Sequence, residues 1–353
     1  MSSSSPRSSS GRWLDHAFVP LLLAVYAAAT FTPAPAWMAR VVLPVAGGLE
    51  LASSKLILAA LLFIAGLRTS LPTWPTSPWA TAGLLGLGVA ARLAPLMAMI
   101  VLTHLLEAAG MPAIGMLIAT GLLLVAAMPS ANTSTAWTRR AGGSLALCVG
   151  VVLLTTIASP LVVPAAAALA AGPAATMGTV GEHVFAGVGI ELFSWVVIPM
   201  AAGMAVGWLA GAREGVPLGL PGAIGSLTAI LALNYLNASR GLPQLLANSH
   251  LLPLLAAAAA AVVLVAATYA TGGLVARSTG ATPQAGLAIG YAVGMSNTGL
   301  AGTLANEAFA DPAVILYPIV LCTLMQHVMA AVIDARQGRP VDPAQPASGT
   351  TPR

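Results

Sequence analysis

The chain has 353 residues, 58% of them hydrophobic, and only 7% are charged (14 Lys and Arg, 10 Asp and Glu). A soluble domain carries about 25% charge, so these side chains cannot cover a water-exposed surface of this size. Two Cys exclude a disulfide scaffold and a Cys-rich metal centre, and the apolar content excludes a disordered chain in spite of 36 Gly and 26 Pro. The composition is that of an integral membrane protein whose first partner is the lipid bilayer, and nothing in it points to nucleic acid.

In chain order, residues 1–14 form a Ser-rich polar stretch, expected as a disordered cytoplasmic tail. It is not expected to be a signal peptide, because the apolar run behind it lacks a convincing cleavage site before the next span. Behind it charge disappears over long gaps. A helix needs roughly 20 residues to cross the hydrocarbon, and the gaps place ten spans near 16–33, 50–68, 80–104, 110–137, 142–168, 187–210, 216–233, 248–273, 283–307 and 312–333. The second span is short and requires Lys55 to snorkel to the interface. The segment 35–49, with Pro35, Pro44, Gly47 and Gly48, reads as a connector or an interfacial piece. Asn234 and Asn237 follow the seventh span and mark its end, and Asn237-Ala238-Ser239 has the form of a glycosylation sequon. Residues 335–353 read as a second disordered cytoplasmic tail, which leaves one membrane domain over 15–334.

Orientation follows from the basic residues. With the N-terminus inside, the cytoplasmic side receives Arg7, Arg12, Arg68, Arg139, Arg140, Arg213, Arg277, Arg336, Arg339 and Arg353, and the other side only Arg40 and Arg240. That bias places both termini in the cytoplasm of a multi-pass cell-membrane (bacterial-type inner-membrane) protein.

Two spans contain segments that make poor helix. One is Met128-Pro129-Ser130-Ala131-Asn132-Thr133-Ser134-Thr135 at the end of the fourth; the other runs from Gly290 to Gly302 in the ninth and includes Ser296, Asn297 and Thr298. Small hydroxyl and amide side chains cluster with helix breakers at membrane depth, where unwound backbone is tolerated only in buried protein or beside a cavity. Each is the penultimate span of its five. Five is odd, so the halves (about 15–168 and 187–334) insert in opposite senses, as in inverted-repeat transporters with a site between two broken helices. The expected fold is an all-α polytopic membrane protein of ten helices in two inverted five-helix repeats.

These two blocks carry a family likeness. MPSANTSTAWTRRAGGSLALCVGVVLLTTIASPLVVP (Met128 to Pro164) and GYAVGMSNTGLAGTLANEAFADPAVILYP (Gly290 to Pro318) resemble the fourth to fifth and ninth to tenth helices of the bile acid:sodium symporter family, within the bile/arsenite/riboflavin transporter superfamily. The resemblance implies a panel domain (helices 1, 2, 6 and 7) beside a core domain (helices 3–5 and 8–10), with discontinuous helices 4 and 9 crossing in the core. It also implies two sodium ions behind the crossing and an organic anion in the crevice between core and panel.

Carried over residue by residue, the sodium pattern is incomplete. The family's Glu of EVGMQN falls on Ala292, its Gln on Ser296 and its Asn on Asn297; a Ser-Asn pair falls on Ser134 and Thr135, two hydroxyls on Cys148 and Val152, and a Gln of the third helix near Ala90. A hard cation in a low-dielectric site wants several oxygens and a carboxylate. Ser134, Thr135, Ser296 and Asn297 could still hold one sodium weakly; the usual two-sodium coupling is not expected, and no other cofactor is. Candidate substrate-binding residues are Asn132, Ser134, Thr135, Asn297, Thr298, Gln326, His327 and Arg92. Arg92, inside the third span, either faces the crevice to attract an anion, replaces a cation's charge near the sodium site, or snorkels from a shifted helix end. His104, Glu107 and Glu191 read as interfacial first and as gates second. With no GxxxxGK[ST] or HExxH motif, the expectation is not an enzyme. It is a secondary active transporter of a small organic anion or amphipathic acid, working by alternating access. The alternative is a sodium-independent uniporter, exchanger or proton-coupled carrier on the same fold. The sequence carries no signal for substrate identity, direction of transport or oligomeric state.

Overall fold

The computed structural model describes residues 9–38, 40–43, 49–69, 78–171, 181–211, 216, 219–244, 251–309 and 311–337. Most of both expected tails, 1–8 and 338–353, lies outside the described residues, but helix already begins at Ser9, within the stretch expected as tail. Among the described residues the chain is helical apart from one hairpin and short turns. The order is α1 (Ser9–Phe31), β1 (Arg40–Leu43), β2 (Leu49–Ala52), α2 (Ser53–Leu67), α3 (Pro78–Ala108), α4 (Ala113–Ala127), α5 (Thr133–Arg140), α6 (Leu145–Ala171) and α7 (Gly181–Leu192). A π-helical turn (Phe193–Val197) joins α7 to α8 (Ile198–Leu209), and α9 (Gly219–Ser239), α10 (Leu251–Ser278), α11 (Pro283–Gly294), α12 (Thr298–Ala308) and α13 (Ala313–Arg336) follow.

Among the described residues, six helical stretches are long and apolar enough to cross a membrane: Trp79–Ala108, Leu145–Ala170, Gly187–Leu209, Gly219–Gln244, Leu252–Ser278 and Ala313–Arg336. Ala17–Phe31, Ser53–Leu67 and Ala113–Ala127 are apolar but shorter. This is a polytopic membrane protein. Large apolar side chains such as Leu161, Ile190 and Leu252 are exposed, an arrangement lipid tolerates and water does not.

The piece expected as a connector over 35–49 leads into the hairpin, which pairs antiparallel with Arg40 opposite Ala52 and takes residues 50–52 out of the second span. The seventh span is longer than expected. Asn234 and Asn237 lie within α9 rather than after it, because their amides find partners inside the bundle: Asn234 Oδ1 accepts from Tyr26 Oη (3.0 Å), and Asn237 Oδ1 accepts from Asn306 Nδ2 (3.1 Å). Asn237 is buried, so the sequon pattern there is not an accessible acceptor.

Helices with nothing to gain from water exclusion pack by close approach of small residues. The α2–α8 pair is the clearest case. A Cβ on Gly66 would run into the Met200 carbonyl and one on Gly203 into the Phe63 carbonyl, whereas one on Gly83 would meet open space. Gly203→Ala is therefore expected to cost about 1–3 kcal/mol, the usual range for overpacking. Thermal unfolding in detergent checks this, with Gly83→Ala melting like the unaltered protein.

Candidate functional site

The α4–α5 break follows from Pro129. Proline has no N–H to continue the helix and pushes the preceding residue into extended backbone, and Met128 has ψ 149°. The α11–α12 break follows Gly290 and Gly294; Met295 is extended and Asn297 starts the next helix, its side chain accepting from Leu300 N. The freed backbone groups of each break are taken up largely by the other. Ser130 and Ser296 form an antiparallel bridge, Ala131 N donates to the Met295 carbonyl (2.9 Å), and Asn297 N donates to the Pro129 carbonyl (2.9 Å). Neighbouring helices supply the rest. Thr155 Oγ1 accepts from Ser130 N (3.1 Å), Gln326 Oε1 accepts from Ser296 N (3.0 Å), and Thr268 Oγ1 donates to the Gly294 carbonyl (3.2 Å). Irregular backbone buried in this way is satisfied as membrane depth demands.

Three further acceptors at the breaks, two carbonyls and a hydroxyl, face α3. Arg92, 4% exposed, donates from Nη1 to the Val293 carbonyl (2.9 Å) and from Nη2 to the Met128 carbonyl (2.5 Å) and Ser296 Oγ (3.0 Å). One guanidinium thus holds both broken chains. Of the three outcomes open for Arg92 in the sequence, two are not seen: it neither snorkels nor lines the cavity described next, and among the expected sodium ligands it contacts Ser296.

In front of the breaks lies a cavity of about 280 Å³. Its polar wall carries the start of α5 (Asn132, Thr133, Thr135) and of α12 (Asn297, Thr298), with Ser296, Gln326 and His327; its apolar wall is built by Phe18, Leu58, Leu62, Met200, Ile230 and Leu233. Exposed Arg68 and Arg139 line it where it reaches the surface. Two helix N-termini put partial positive charge on the same space. Among the described lining residues there is no Asp or Glu. The model of the sodium bile acid symporter family matches residues 55–233, just over half of the chain. The chain belongs to that family. The match takes in the first break and stops short of the second. No curated protein matches the chain. The family's members are membrane transporters, which agrees with the six long apolar helices.

Of the residues expected at the symporter's site, Asn132, Thr135, Ser296, Asn297, Thr298, Gln326 and His327 are brought together on this cavity. Gln326 bridges, since it also donates from Nε2 to Thr298 Oγ1 (3.4 Å). His327 Nδ1 donates to the Thr323 carbonyl (2.9 Å), the ring stacks on Phe18 at 4.6 Å, and Nε2 has no partner. Ser134 is not on the cavity: it is fully buried behind it, its Oγ 3.3 Å from Cys148 Sγ.

The residues do not fit a sodium ion. The four candidate ligands bring no carboxylate. Ser134 Oγ lies against Cys148 Sγ, Ser296 Oγ accepts from Arg92 and Asn297 Oδ1 from Leu300 N, which leaves Thr135 Oγ1, donating to the Asn132 carbonyl (2.7 Å), with its lone pairs free but no charged partner beside it. Cys148, Val152 and Ala292, the positions where the resemblance implies oxygen ligands, fall in one apolar cluster with Ala91, Ala288 and Ile289.

One constellation was not singled out in the sequence as a set. Lys55 Nζ lies 2.7 Å from Glu307 Oε2 and 3.2 Å from Glu191 Oε1, joining α2 to α12 and α7. Lys55 is the sole lysine of the chain, and that rarity beside acids on the same expected membrane face was the available signal.

Proposed function

We propose that this protein is a secondary carrier that moves a small organic anion or amphipathic acid by alternating access about the two chain breaks. One observation carries the reading: a cavity with one apolar wall and one polar wall, two helix N-termini, two arginines at its surface end and no acid among its described lining residues. An apolar body with one anionic group matches that surface.

The packing supports the repeat. α1 lies on α9 as α8 lies on α2, α3 on α4 as α10 on α11, and α4 on α13 as α6 on α11, which are the pairs obtained by exchanging the first five spans with the second five. Alternating access is supported by what lies at the two ends of α2. Arg68, at its C-terminal end, belongs to the cavity just described, on the face the basic residues assign to the cytoplasm. At the other end, a second cavity of about 720 Å³ is lined by Arg40, Ser54, Asn237, Arg240, Asn306 and Glu307. Between them stand the Lys55–Glu307 pair and the Asn306–Asn237 hydrogen bond, with Asn237 Nδ2 reaching the Gly299 carbonyl (3.2 Å). This supports reading the protein as a carrier whose central cavity is open at the Arg68 face and closed at the Lys55 face.

The charge preference is tested on purified protein in detergent with short aliphatic and aromatic carboxylates and their primary amides. At least one carboxylate is expected to raise the melting temperature while its amide does not, and Arg139→Gln is expected to weaken the response. Equal stabilisation by the amides, or stabilisation by organic cations alone, contradicts the reading.

A further inference from the structure

The acceptors around Arg92 are those a small cation would take. The Met128 and Val293 carbonyls stand at the C-terminal ends of α4 and α11, where helix carbonyls are left over and partial negative charge collects. Ser296 Oγ completes the set from the second break. Among the described residues no carboxylate contacts the guanidinium, so two helix ends and a hydroxyl balance its charge. The neighbouring wall is dry, made by Ala91, Cys148, Val152, Ala288 and Ala292. A second cation entering here would meet a fixed positive charge in a low-dielectric interior and find its oxygens already bonded.

We propose that Arg92 is a tethered cation standing in for the coupled ion, so that this member of a sodium symporter family neither binds nor uses sodium. A mobile ion is replaced by a covalently held one that joins the two breaks permanently. Cargo binding is then coupled to some other gradient, or to none. The consequence for transport rests on the carrier reading above; sodium binding does not, and is measured without any transported substrate.

The test uses the full chain purified in detergent, with melting recorded in sodium chloride and in choline chloride at equal ionic strength, and equilibrium binding of ²²Na. The unaltered protein is expected to melt at the same temperature in both salts and to hold no ²²Na. The double substitution Arg92→Gln with Ala292→Glu removes the tethered charge and adds a carboxylate at the dry wall; it is expected to bind ²²Na and to melt higher in sodium than in choline. Arg92→Lys keeps the charge and is expected to stay indifferent to sodium. Stoichiometric ²²Na binding by the unaltered protein, or a sodium-specific rise in its melting temperature, overturns the proposal. So does a folded double variant that ignores sodium. If the double variant fails to fold in either salt, the unaltered protein and Arg92→Lys decide the matter.

Discussion

Arg92→Met is expected to lower the stability of the protein by about 3–5 kcal/mol, the range for removing one partner of a buried charged constellation. Met is shorter but fills much of the same volume and carries no donor, so the loss is chiefly one of hydrogen bonds. The Met128 and Val293 carbonyls and Ser296 Oγ each lose a charged donor, and each buried acceptor left unsatisfied costs about 1–3 kcal/mol. No water can make up the deficit without opening the core, since Met128, Val293 and Ser296 are all buried. The damage is not confined to α3. Both breaks are registered against each other by backbone bonds next to these acceptors, so local opening spreads along α5 and α12 and into the cavity wall. Thermal unfolding in detergent measures the loss; hydrogen exchange of Ala131 and Asn297, whose amides cross between the breaks, locates it. Melting like the unaltered protein with unchanged exchange contradicts the role given to Arg92.

The second large effect concerns the outer closure. Lys55→Met leaves Glu191 and Glu307 facing each other with no cation between them. Lys55 and Glu307 are 16% and 21% exposed and Glu191 is 45% exposed. The Glu307 contact therefore carries most of the effect, while the Glu191 contact is screened and worth little. Taken together the loss is expected to favour opening on the Lys55 face by about 1–3 kcal/mol, or roughly 5–150-fold in the equilibrium. The closed form loses an attraction and gains a repulsion, while the open form separates α2 from α12. A cysteine at Leu58, on the cavity wall, is expected to react faster with an impermeant maleimide applied to the Lys55 face once Lys55→Met is added. The two native cysteines are buried and give little background. Unchanged labelling would mean that the bridge does not hold this face shut.

Much of this was legible in the sequence, and the reasons separate what was from what was not. The membrane class and the six long apolar helices could be read because charge is so costly in hydrocarbon that its absence marks a crossing, and both breaks could be read because proline, glycine and small polar residues have few other uses at that depth. Helix ends could not. The hairpin at 40–52 takes its pairing from tertiary placement, and α9 continues through Asn237 because Asn306 and Gly299 on another element satisfy its amide. The fate of Arg92 turned on which way one long side chain points. Period and composition are silent on that, and three outcomes stayed open until its acceptors were visible. Ser134 illustrates the converse: it belongs to the right motif, yet one helical turn places it behind the cavity against Cys148. Lys55 was read by itself as a snorkelling side chain, because its partners lie 136 residues and more away.

The most direct test of the central claim is uptake of a panel of labelled short carboxylates into proteoliposomes, with sodium, proton and potential gradients imposed one at a time. At least one carboxylate is expected to enter faster than into protein-free vesicles, at the same rate in sodium and in choline, and to be excluded when the cavity is blocked by Thr298→Phe. Uptake that requires sodium, or the absence of uptake of every carboxylate, contradicts the account.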